Sequence, residues 1–189
     1  SGDIRLGGKL IHPTSPKKVI KKGFALIPED RRAQGLVLDH SVRENMTLTL
    51  LGQFSQGGFT KKAKEREIVA RIVEQLAIKL AYPEIRVNTL SGGNQQKVVI
   101  GKWLGTQPVL LMMDEPTAGV DIGTKSEILD LIRAIADSGT SVIFVSSELL
   151  ELLSVSDRIL VLKVGTILHD LNPADLQSEE ELQLAVQGV

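Results

Sequence analysis

The spacing of apolar residues changes along the chain. Between residues 61 and 80, apolar positions recur at helical spacing with charged positions opposite them, which predicts an amphipathic helix. Its apolar positions are Ile68, Val69, Ile72, Val73 and Leu76. Upstream, Ser41 and Glu44 have the spacing of a capping box, which predicts a helix start within residues 41–51. The middle third of the chain is therefore predicted to be helical.

From residue 90 onward, short apolar runs alternate with longer mixed stretches. The predicted order is a helix over 95–104, a strand over 109–113, a helix over 124–137 and a strand over 141–145. Apolar strands separated by helices are typical of parallel β-α-β units in which both faces of the sheet are covered. This region therefore predicts an α/β fold with a parallel sheet at its core.

The remaining segments have shorter patterns. Residues 4–11 predict two short strands around a glycine turn, and residues 157–170 predict a second strand pair. A short basic helix is predicted over 16–23, followed by a strand over 24–27 that a proline stops. An Asn-Pro pair is a favourable helix start, so a terminal helix is predicted within 171–189.

Composition narrows the class of protein. The 189 residues are 42% apolar and 24% charged, as in ordinary globular domains, and the absence of cysteine excludes disulfides and thiolate metal sites. The 22 basic and 23 acidic residues nearly cancel, so the charge pattern of a nucleic-acid-binding protein is absent. No apolar run approaches the roughly 20 residues that span a bilayer. We expect a cytosolic protein whose membrane role, if it has one, is peripheral.

The stretch VLLMMDEPTAG, residues 109–119, ends a predicted buried strand in two neighbouring carboxylates. They lie at the strand edge where open α/β sheets bind ligands. In a nucleotide hydrolase, Asp114 would hold Mg²⁺ through a water, and Glu115 would orient or deprotonate the attacking water. The alternative is an ordinary acidic pair where a strand turns.

The stretch LSGGNQQ, residues 90–96, precedes a predicted helix. A helix N-terminus offers unpaired N–H groups and a partial positive charge, and glycines let the backbone approach an anion closely. Ser91, Gly92 and Gly93 therefore suit a phosphate. The alternative is a simple serine N-cap followed by a flexible turn.

The order and spacing of these two stretches, with GVD at 119–121 and VSSE at 145–148, resemble those of the ATP-binding-cassette (ABC) ATPase family. The resemblance covers essentially all 189 residues. It implies one ABC-type P-loop NTPase domain over 1–189, with short antiparallel strands at the N-terminal end and a helical subdomain inserted at 40–89. It also implies ATP and Mg²⁺ as ligands.

The resemblance assigns roles residue by residue. Ser91, Gly92, Gly93, Asn94 and Gln95 match the signature loop, Asp114 and Glu115 the Walker B pair, and Asp121 the D-loop aspartate. Glu29 stands where the family usually has its Q-loop glutamine, which couples the nucleotide site to the transmembrane partner. In this family two cassettes face head to tail, and each signature loop closes on the γ-phosphate of the ATP that the other cassette holds.

The sequence departs from the family pattern in two ways. The chain contains no G-x-x-x-x-G-K-[ST] loop, which in the family precedes the segment aligned with residues 1–11, so we expect the chain to start just after it. Ser147 stands where the family has its switch histidine, and a hydroxyl can bond a phosphate but cannot carry positive charge near neutral pH. We therefore expect the chain's own ATP site to be degenerate.

Residues PEDRR at 28–32, together with Asn94 and Ser147, make the chain similar to the second cassette of tandem ATP-binding proteins in bacterial monosaccharide importers. This implies an ATPase at the cytoplasmic face of the bacterial membrane. Its implied partners are a second cassette, a transmembrane permease and, indirectly, a periplasmic or extracellular sugar-binding protein, with no nucleic acid.

Two other interpretations stay open. The first is a non-transport cassette ATPase that acts on DNA or the ribosome, although such relatives tend to carry long coiled-coil insertions or strongly basic linkers, and this chain has neither. The second is a catalytically inert module that only completes a partner's active site.

We predict that the isolated chain has no useful affinity for ATP, because a phosphate loop supplies the backbone amides and the lysine that hold the β- and γ-phosphates. Titration calorimetry of the chain with ATP checks this, with and without Mg²⁺. Tight binding that depends on Mg²⁺ would contradict the prediction.

Overall fold

A computed structural model describes residues 2–56, 59–60, 62–176 and 178–188, without the side chains of residues 53–56 and 59–60. The strands are β1 (Ile4–Leu6), β2 (Lys9–Ile11), β3 (Phe24–Ile27), β4 (Ser55–Gln56), β5 (Phe59–Thr60), β6 (Leu110–Asp114), β7 (Ser141–Val145), β8 (Ile159–Lys163) and β9 (Thr166–Leu171). The α-helices are α1 (Pro16–Ile20), α2 (Val42–Thr47), α3 (Leu51–Phe54), α4 (Lys62–Gln75), α5 (Gly92–Leu104), α6 (Ile122–Asp137), α7 (Leu149–Val155) and α8 (Glu179–Gln187). Short 3-10 turns lie at Leu48–Leu50, Val87–Thr89 and Pro173–Asp175, and a π-helical turn lies at Arg31–Gly35.

The parallel sheet has three strands in the order β3-β6-β7, with β6 in the centre. The other strands form antiparallel pairs, β1 with β2, β4 with β5 and β8 with β9. The predicted α/β fold with a parallel core and short antiparallel strands near the N-terminal end is therefore confirmed.

Three predicted helix boundaries differ from those in the structure. Two helices begin earlier because a capping residue starts them, and one ends earlier. Ser91 caps α5, which begins at Gly92 rather than at residue 95. Asp121 caps α6, which begins at Ile122 rather than at residue 124. Helix α4 ends at Gln75, short of residue 80, because the chain turns where Ala77 has a φ of 46°.

The prediction of one terminal helix within 171–189 is wrong in its first half. Strand β9 continues to Leu171, and the side chain of Asn172 then caps only a single 3-10 turn. The backbone returns to an extended conformation at Leu176, and α8 starts after Ser178. Residues 177 and 189 lie outside the described residues, as does residue 61 of the predicted amphipathic helix.

The main core lies between one face of the sheet and helices α2, α4, α5 and α6. On the sheet, Ala25, Ile27, Leu111 and Met113 are buried on this face. A second, smaller cluster of Ile159, Val161 and Leu182 joins the β8–β9 pair to α8. Helix α5 is central to the fold because it contacts both the sheet and the helical middle segment.

The opposite face of the sheet is open in the part of the chain that the structure describes, so the expectation that both faces are covered is wrong there. The strand register sets Leu26, Met112 and Ile143 side by side on this face. Leu26 is 49% exposed and Ile143 is 51% exposed, although central parallel strands are normally covered on both faces. An apolar cavity of about 620 Å³ adjoins this face, between β3 and α1.

Backbone hydrogen bonds join the two ends of the segment 40–89. Ser41 and Arg86 form an antiparallel bridge, and the Val42 and Val87 N–H groups donate to carbonyls on the opposite arm. The predicted capping box is present, since the Glu44 N–H donates to Ser41 Oγ and the Ser41 N–H donates to the Glu44 carboxylate. Within the described ranges, no helix is both long and apolar enough to cross a bilayer.

The side chain of Asn45 is expected to stabilise the backbone at the N-terminal end of this segment. Its fully buried side chain accepts from the Val37 N–H at 2.8 Å and donates to the Val37 and Ser41 carbonyls at 3.0 Å. Asn45→Ala would leave these buried groups unpaired and should lower the free energy of unfolding by about 2–4 kcal/mol. Urea denaturation measures this, and Asn88→Ala, at an exposed asparagine, is the matched control. Equal stability of the two variants would contradict the prediction.

Candidate functional site

The two predicted carboxylates lie at the carboxyl end of β6. Asp114 ends the strand and is exposed, whereas Glu115 is half-buried and has a φ of 44°, a left-handed conformation that costs a non-glycine residue about 1–3 kcal/mol. The Glu115 N–H donates to the Val145 carbonyl at 2.9 Å, so the turn is held against β7. Neither carboxylate has a hydrogen-bond or ion-pair partner within the described residues. Both are therefore free to meet a ligand.

Ser147 lies just beyond the end of the neighbouring strand β7. Its side chain is exposed and has no hydrogen-bond partner in the described part of the chain. Because β6 and β7 are parallel and paired up to Asp114 and Val145, Ser147 shares the same sheet edge as Glu115. The structure therefore brings the predicted catalytic residues to adjacent strand ends.

A buried carboxylate that the sequence analysis missed connects these two strand ends. Glu151 is 3% exposed and accepts from Thr117 Oγ1 at 2.8 Å and from Ser146 Oγ at 2.7 Å. Lys125 Nζ lies 3.2 Å from Glu151 and donates to Glu148 at 2.6 Å. The hydrogen bond with Glu148 is the largest cause of the raised pKa of Lys125, and the contacts with Glu151 raise it further. The only sequence signal was an acidic residue inside the apolar run of α7.

The predicted signature loop forms the N-terminus of α5. Ser91 is exposed, and its Oγ accepts from the Asn94 N–H at 3.4 Å and from Asn94 Nδ2 at 2.9 Å. Asn94 Oδ1 accepts from the Lys79 N–H at 2.8 Å, and the buried Gln95 Nε2 donates to the Leu90 carbonyl at 3.1 Å. Two of the predicted ligand-binding side chains, those of Asn94 and Gln95, therefore anchor the loop to its own chain.

Both glycines of the loop are required by close packing. A Cβ on Gly93 would lie 1.9 Å from Thr124 Cγ2, and a Cβ on Gly92 would lie 2.7 Å from Arg31 Nη2. Real Cβ atoms do not approach other atoms this closely, so any larger residue forces a shift. The N-termini of α5 and α6 thus meet here, which is a reason for glycine that holds whether or not an anion binds.

Asp121 caps the second of these helices. Its carboxylate accepts from the Thr124 N–H at 3.0 Å and from Thr124 Oγ1 at 2.8 Å. The hydrogen bond from the backbone N–H, followed by that from the hydroxyl, lowers the pKa of Asp121. Asp121 is therefore a fixed negative charge beside the Ser91 loop.

Glu29 follows β3 and Pro28 and is exposed. Within the described residues its carboxylate has no hydrogen-bond or ion-pair partner. Its neighbour Asp30 accepts from the Arg32 and Ala33 N–H groups at 3.0 Å and so caps the π-helical turn. The structure thus presents Glu29 at the surface, next to a turn of fixed shape.

Magnesium suits the Asp114 position by its donor chemistry. The described residues contain no group of three or more histidine or acidic side chains that could hold a metal ion by themselves. Mg²⁺ usually keeps several waters and takes one or two carboxylates together with substrate phosphates. A single free carboxylate at a ligand-binding sheet edge fits that pattern.

Comparisons with known proteins agree on one family. The family model described as ABC transporter matches residues 1–118. The chain is 45% identical over 188 residues to the ribose import ATP-binding protein RbsA of Bacillus licheniformis, covering 100% of this chain and 38% of that protein. It is 43% identical over 187 residues to the protein of the same name from Geobacillus kaustophilus, covering 99% of this chain and 38% of that protein. The chain thus spans well under half the length of these relatives.

Among solved structures, the chain is similar to a dimeric ATP-binding cassette in a post-hydrolysis state bound to ADP and Pi. The TM-score is 0.75 at 20% sequence identity, and the match covers 92% of this chain and 74% of that chain. At this level of identity the likeness concerns the fold.

Gly93→Ala should destabilise the chain without any nucleotide present. The new methyl overlaps Thr124 Cγ2, and overpacking of this kind costs about 1–3 kcal/mol. Thr124→Ser in the same chain removes that methyl, keeps the hydroxyl for Asp121 and should restore part of the loss. Gly123→Ala is the matched control, since its Cβ meets only ordinary contact with Asp121 at 3.5 Å. Urea denaturation of the unsubstituted chain and the three variants measures the effect, and equal stability of Gly93→Ala and Gly123→Ala would contradict the packing role.

Proposed function

Because the chain belongs to the ABC transporter family, we propose that it acts as a nucleotide-binding cassette of a sugar importer and completes the ATP site of a second cassette. The support is its 45% identity over essentially its whole length to a ribose import ATP-binding protein. That relative is much longer than this chain, so the transport activity of the whole importer is part of the proposal and not a finding.

The observation that carries the proposal is the N-terminus of α5, where Ser91 is exposed, Gly92 is half-buried and Gly93 is buried. The N–H groups of Gly92 and Gly93 have no acceptor in the described ranges, and the hydroxyl of Ser91 is exposed beside them. Helix N-termini of this kind bind phosphate, because unpaired N–H groups and the helix dipole both favour negative charge. In the arrangement that the family resemblance implies, each signature loop closes on the γ-phosphate of the ATP that the facing cassette holds. We therefore assign the phosphate to a nucleotide that a second cassette holds.

At the sheet edge we assign Mg²⁺ to Asp114 and the attacking water to Glu115. The ion, when bound, would neutralise phosphate charge. Glu115 has no competing partner among the described residues and can orient a water or accept its proton. Ser147 offers a hydroxyl to the phosphate but no positive charge near neutral pH. We propose that hydrolysis occurs mainly at the other cassette's site and that the isolated chain is inactive.

The open face of the parallel sheet suggests where a phosphate-binding segment would pack. Leu26, Met112 and Ile143 form an apolar surface beside the cavity at α1. Covering such a face removes apolar area from water, which is the dominant favourable contribution to association. We propose that this face packs against a helix that carries the phosphate loop.

We propose the helical segment 40–89 and the neighbouring Glu29 as the contact with a membrane permease. Exposed apolar side chains of this segment include Leu48, Leu51 and Tyr82. The chain would then lie peripherally at the cytoplasmic face of the membrane, and a sugar-binding protein outside the membrane would act through the permease. Near-neutral net charge gives no support to action on nucleic acid.

The test uses the longer polypeptide that contains this chain and a second cassette, together with the permease in vesicles. Ser91→Arg should lower ATP turnover and ribose uptake by about 100-fold, because a side chain fills the phosphate position and displaces preorganised donors. Ser126→Arg, at an exposed serine of α6, is the matched control and should leave both rates unchanged.

Glu115→Gln in the same polypeptide separates the two ATP sites. Loss of a catalytic base costs about 10²–10⁴ in rate, so a loss of that size would place hydrolysis at this chain's own site. We expect a much smaller loss. Full turnover by Ser91→Arg would contradict the proposal that this chain completes another cassette's site, and ATP turnover without ribose uptake would contradict the sugar importer.

A further inference from the structure

Arg31 lies between two loops that the proposed ATP site requires. Its Nη1 donates to the Ala118 carbonyl at 2.6 Å, and its Nη2 donates to the Gly119 carbonyl at 3.2 Å. On its other side the guanidinium lies against Gly92, where an added Cβ would be 2.7 Å from Nη2. One side chain thus contacts both the loop that leads to Asp121 and the N-terminus of α5.

The shape of arginine suits this position. A planar guanidinium presents several N–H groups in a fixed fork, whereas a lysine ammonium is a point donor on a flexible stem. The two acceptors belong to consecutive residues, and Gly119 has a φ of 66°, a left-handed conformation that glycine adopts without strain. The two neighbouring carbonyls can therefore both accept hydrogen bonds from one side chain.

The guanidinium of Arg31 is hydrogen-bonded only to backbone carbonyls in the described part of the chain. No carboxylate lies within ion-pair distance of it in the described residues, and its Nε is buried without a hydrogen-bond partner. Burial lowers the pKa of the Arg31 guanidinium, the charge of Arg32 lowers it further, and Asp30 partly offsets the shift. A partly buried cation that is bonded only to carbonyls contributes little to the stability of the fold, because removing the charge from water costs free energy. This points to a role in geometry.

Arg31 also begins an anchored turn. At the start of the π-helical turn Asp30 caps the backbone, and at its end the Gly35 carbonyl accepts from the buried Lys102 Nζ of α5. A Cβ on Gly35 would lie 3.0 Å from Val99, so this end is packed tightly as well. The segment 28–35 is therefore joined to α5 at Gly35 and to the loop 118–121 through Arg31.

We propose that Arg31 is a positioning residue that holds the loop 118–121 against the N-terminus of α5, so that a displacement of the segment around Glu29 moves both. The linkage itself depends only on the contacts above. Its consequence for ATP turnover rests on the proposed function, in which Ser91 and Asp121 face a second cassette and Glu29 faces the permease.

The first test measures hydrogen–deuterium exchange of the chain alone. Arg31→Lys and Arg31→Gln each lose the bidentate contact, and exchange over 118–124 and 91–95 should rise about tenfold or more, because hydrogen bonds from a charged donor are lost. Arg32→Gln is the matched control, since that neighbouring side chain is exposed and has no hydrogen-bond or ion-pair partner in the described part of the chain. Unchanged exchange in both Arg31 variants would overturn the proposal.

The second test uses the contact with Gly92. Gly92→Ala should displace the guanidinium and raise exchange over 118–121 as the Arg31 variants do. In an Arg31→Ala chain the same methyl finds the space vacated, with the Gly119 carbonyl next at 3.3 Å, so it should add less than about twofold. Independent, multiplying effects of the two changes would show that Gly92 and Arg31 do not act through one contact, and would overturn the proposal.

The third test asks whether the linkage serves turnover, using the longer polypeptide with its permease. Arg31→Lys should lower kcat about tenfold with little change in KM, whereas Arg32→Gln should change neither. If Arg31→Lys keeps its full turnover where Ser91→Arg loses it, the functional part of the proposal is wrong. If Ser91→Arg also keeps full turnover, the proposed function fails, and the exchange experiments still decide the linkage.

Discussion

The close approach of two helix N-termini is the constraint on which the functional edge depends. Gly93 of α5 lies so near Thr124 of α6 that a single added carbon would reach within 1.9 Å of a methyl. Each helix end carries a partial positive charge, so placing them together is electrostatically unfavourable. The Asp121 carboxylate offsets part of this charge, whereas Arg31 adds to it. The two helix ends and Arg31 thus contribute positive charge beside Ser91, where we place a phosphate, and Asp121 contributes negative charge there.

The same helix α5 carries a second tight contact at its other end. A Cβ on Gly101 would lie 2.7 Å from Ile72 Cγ2, where α5 crosses the helical segment 40–89. Glycines at both ends thus let one helix pack closely against α6 and against the proposed permease-facing segment. Because well-packed interiors are not continuously deformable, a shift at one end of a helix held in this way is transmitted to the other.

Local patterns predicted most of the elements and the family well, and long-range contacts less well. Apolar periodicity predicted the three parallel strands, and the motif spacing predicted the family, since both depend on residues close together in sequence. The inward-facing side chains of Asn94 and Gln95 were not foreseen, because their partners are set by the tertiary fold. Arg31 reaches carbonyls 87 and 88 residues away, and no local pattern encodes such a contact. The terminal helix was misjudged because an Asn-Pro pair can start one turn as readily as a full helix.

Glu151 is a polar group buried beside the proposed reactive edge. Two hydroxyls and a lysine satisfy its carboxylate, and their segments are the turn after Glu115, the end of β7 and the helix α6. An apolar residue of similar size at this place would avoid the desolvation of a charge, and buried ion pairs often stabilise less than such replacements. An apolar contact is non-directional, however, whereas these hydrogen bonds fix the angle between the two strand ends. Because Glu115 already has a strained backbone, its position needs directional support, and a satisfied buried carboxylate supplies it.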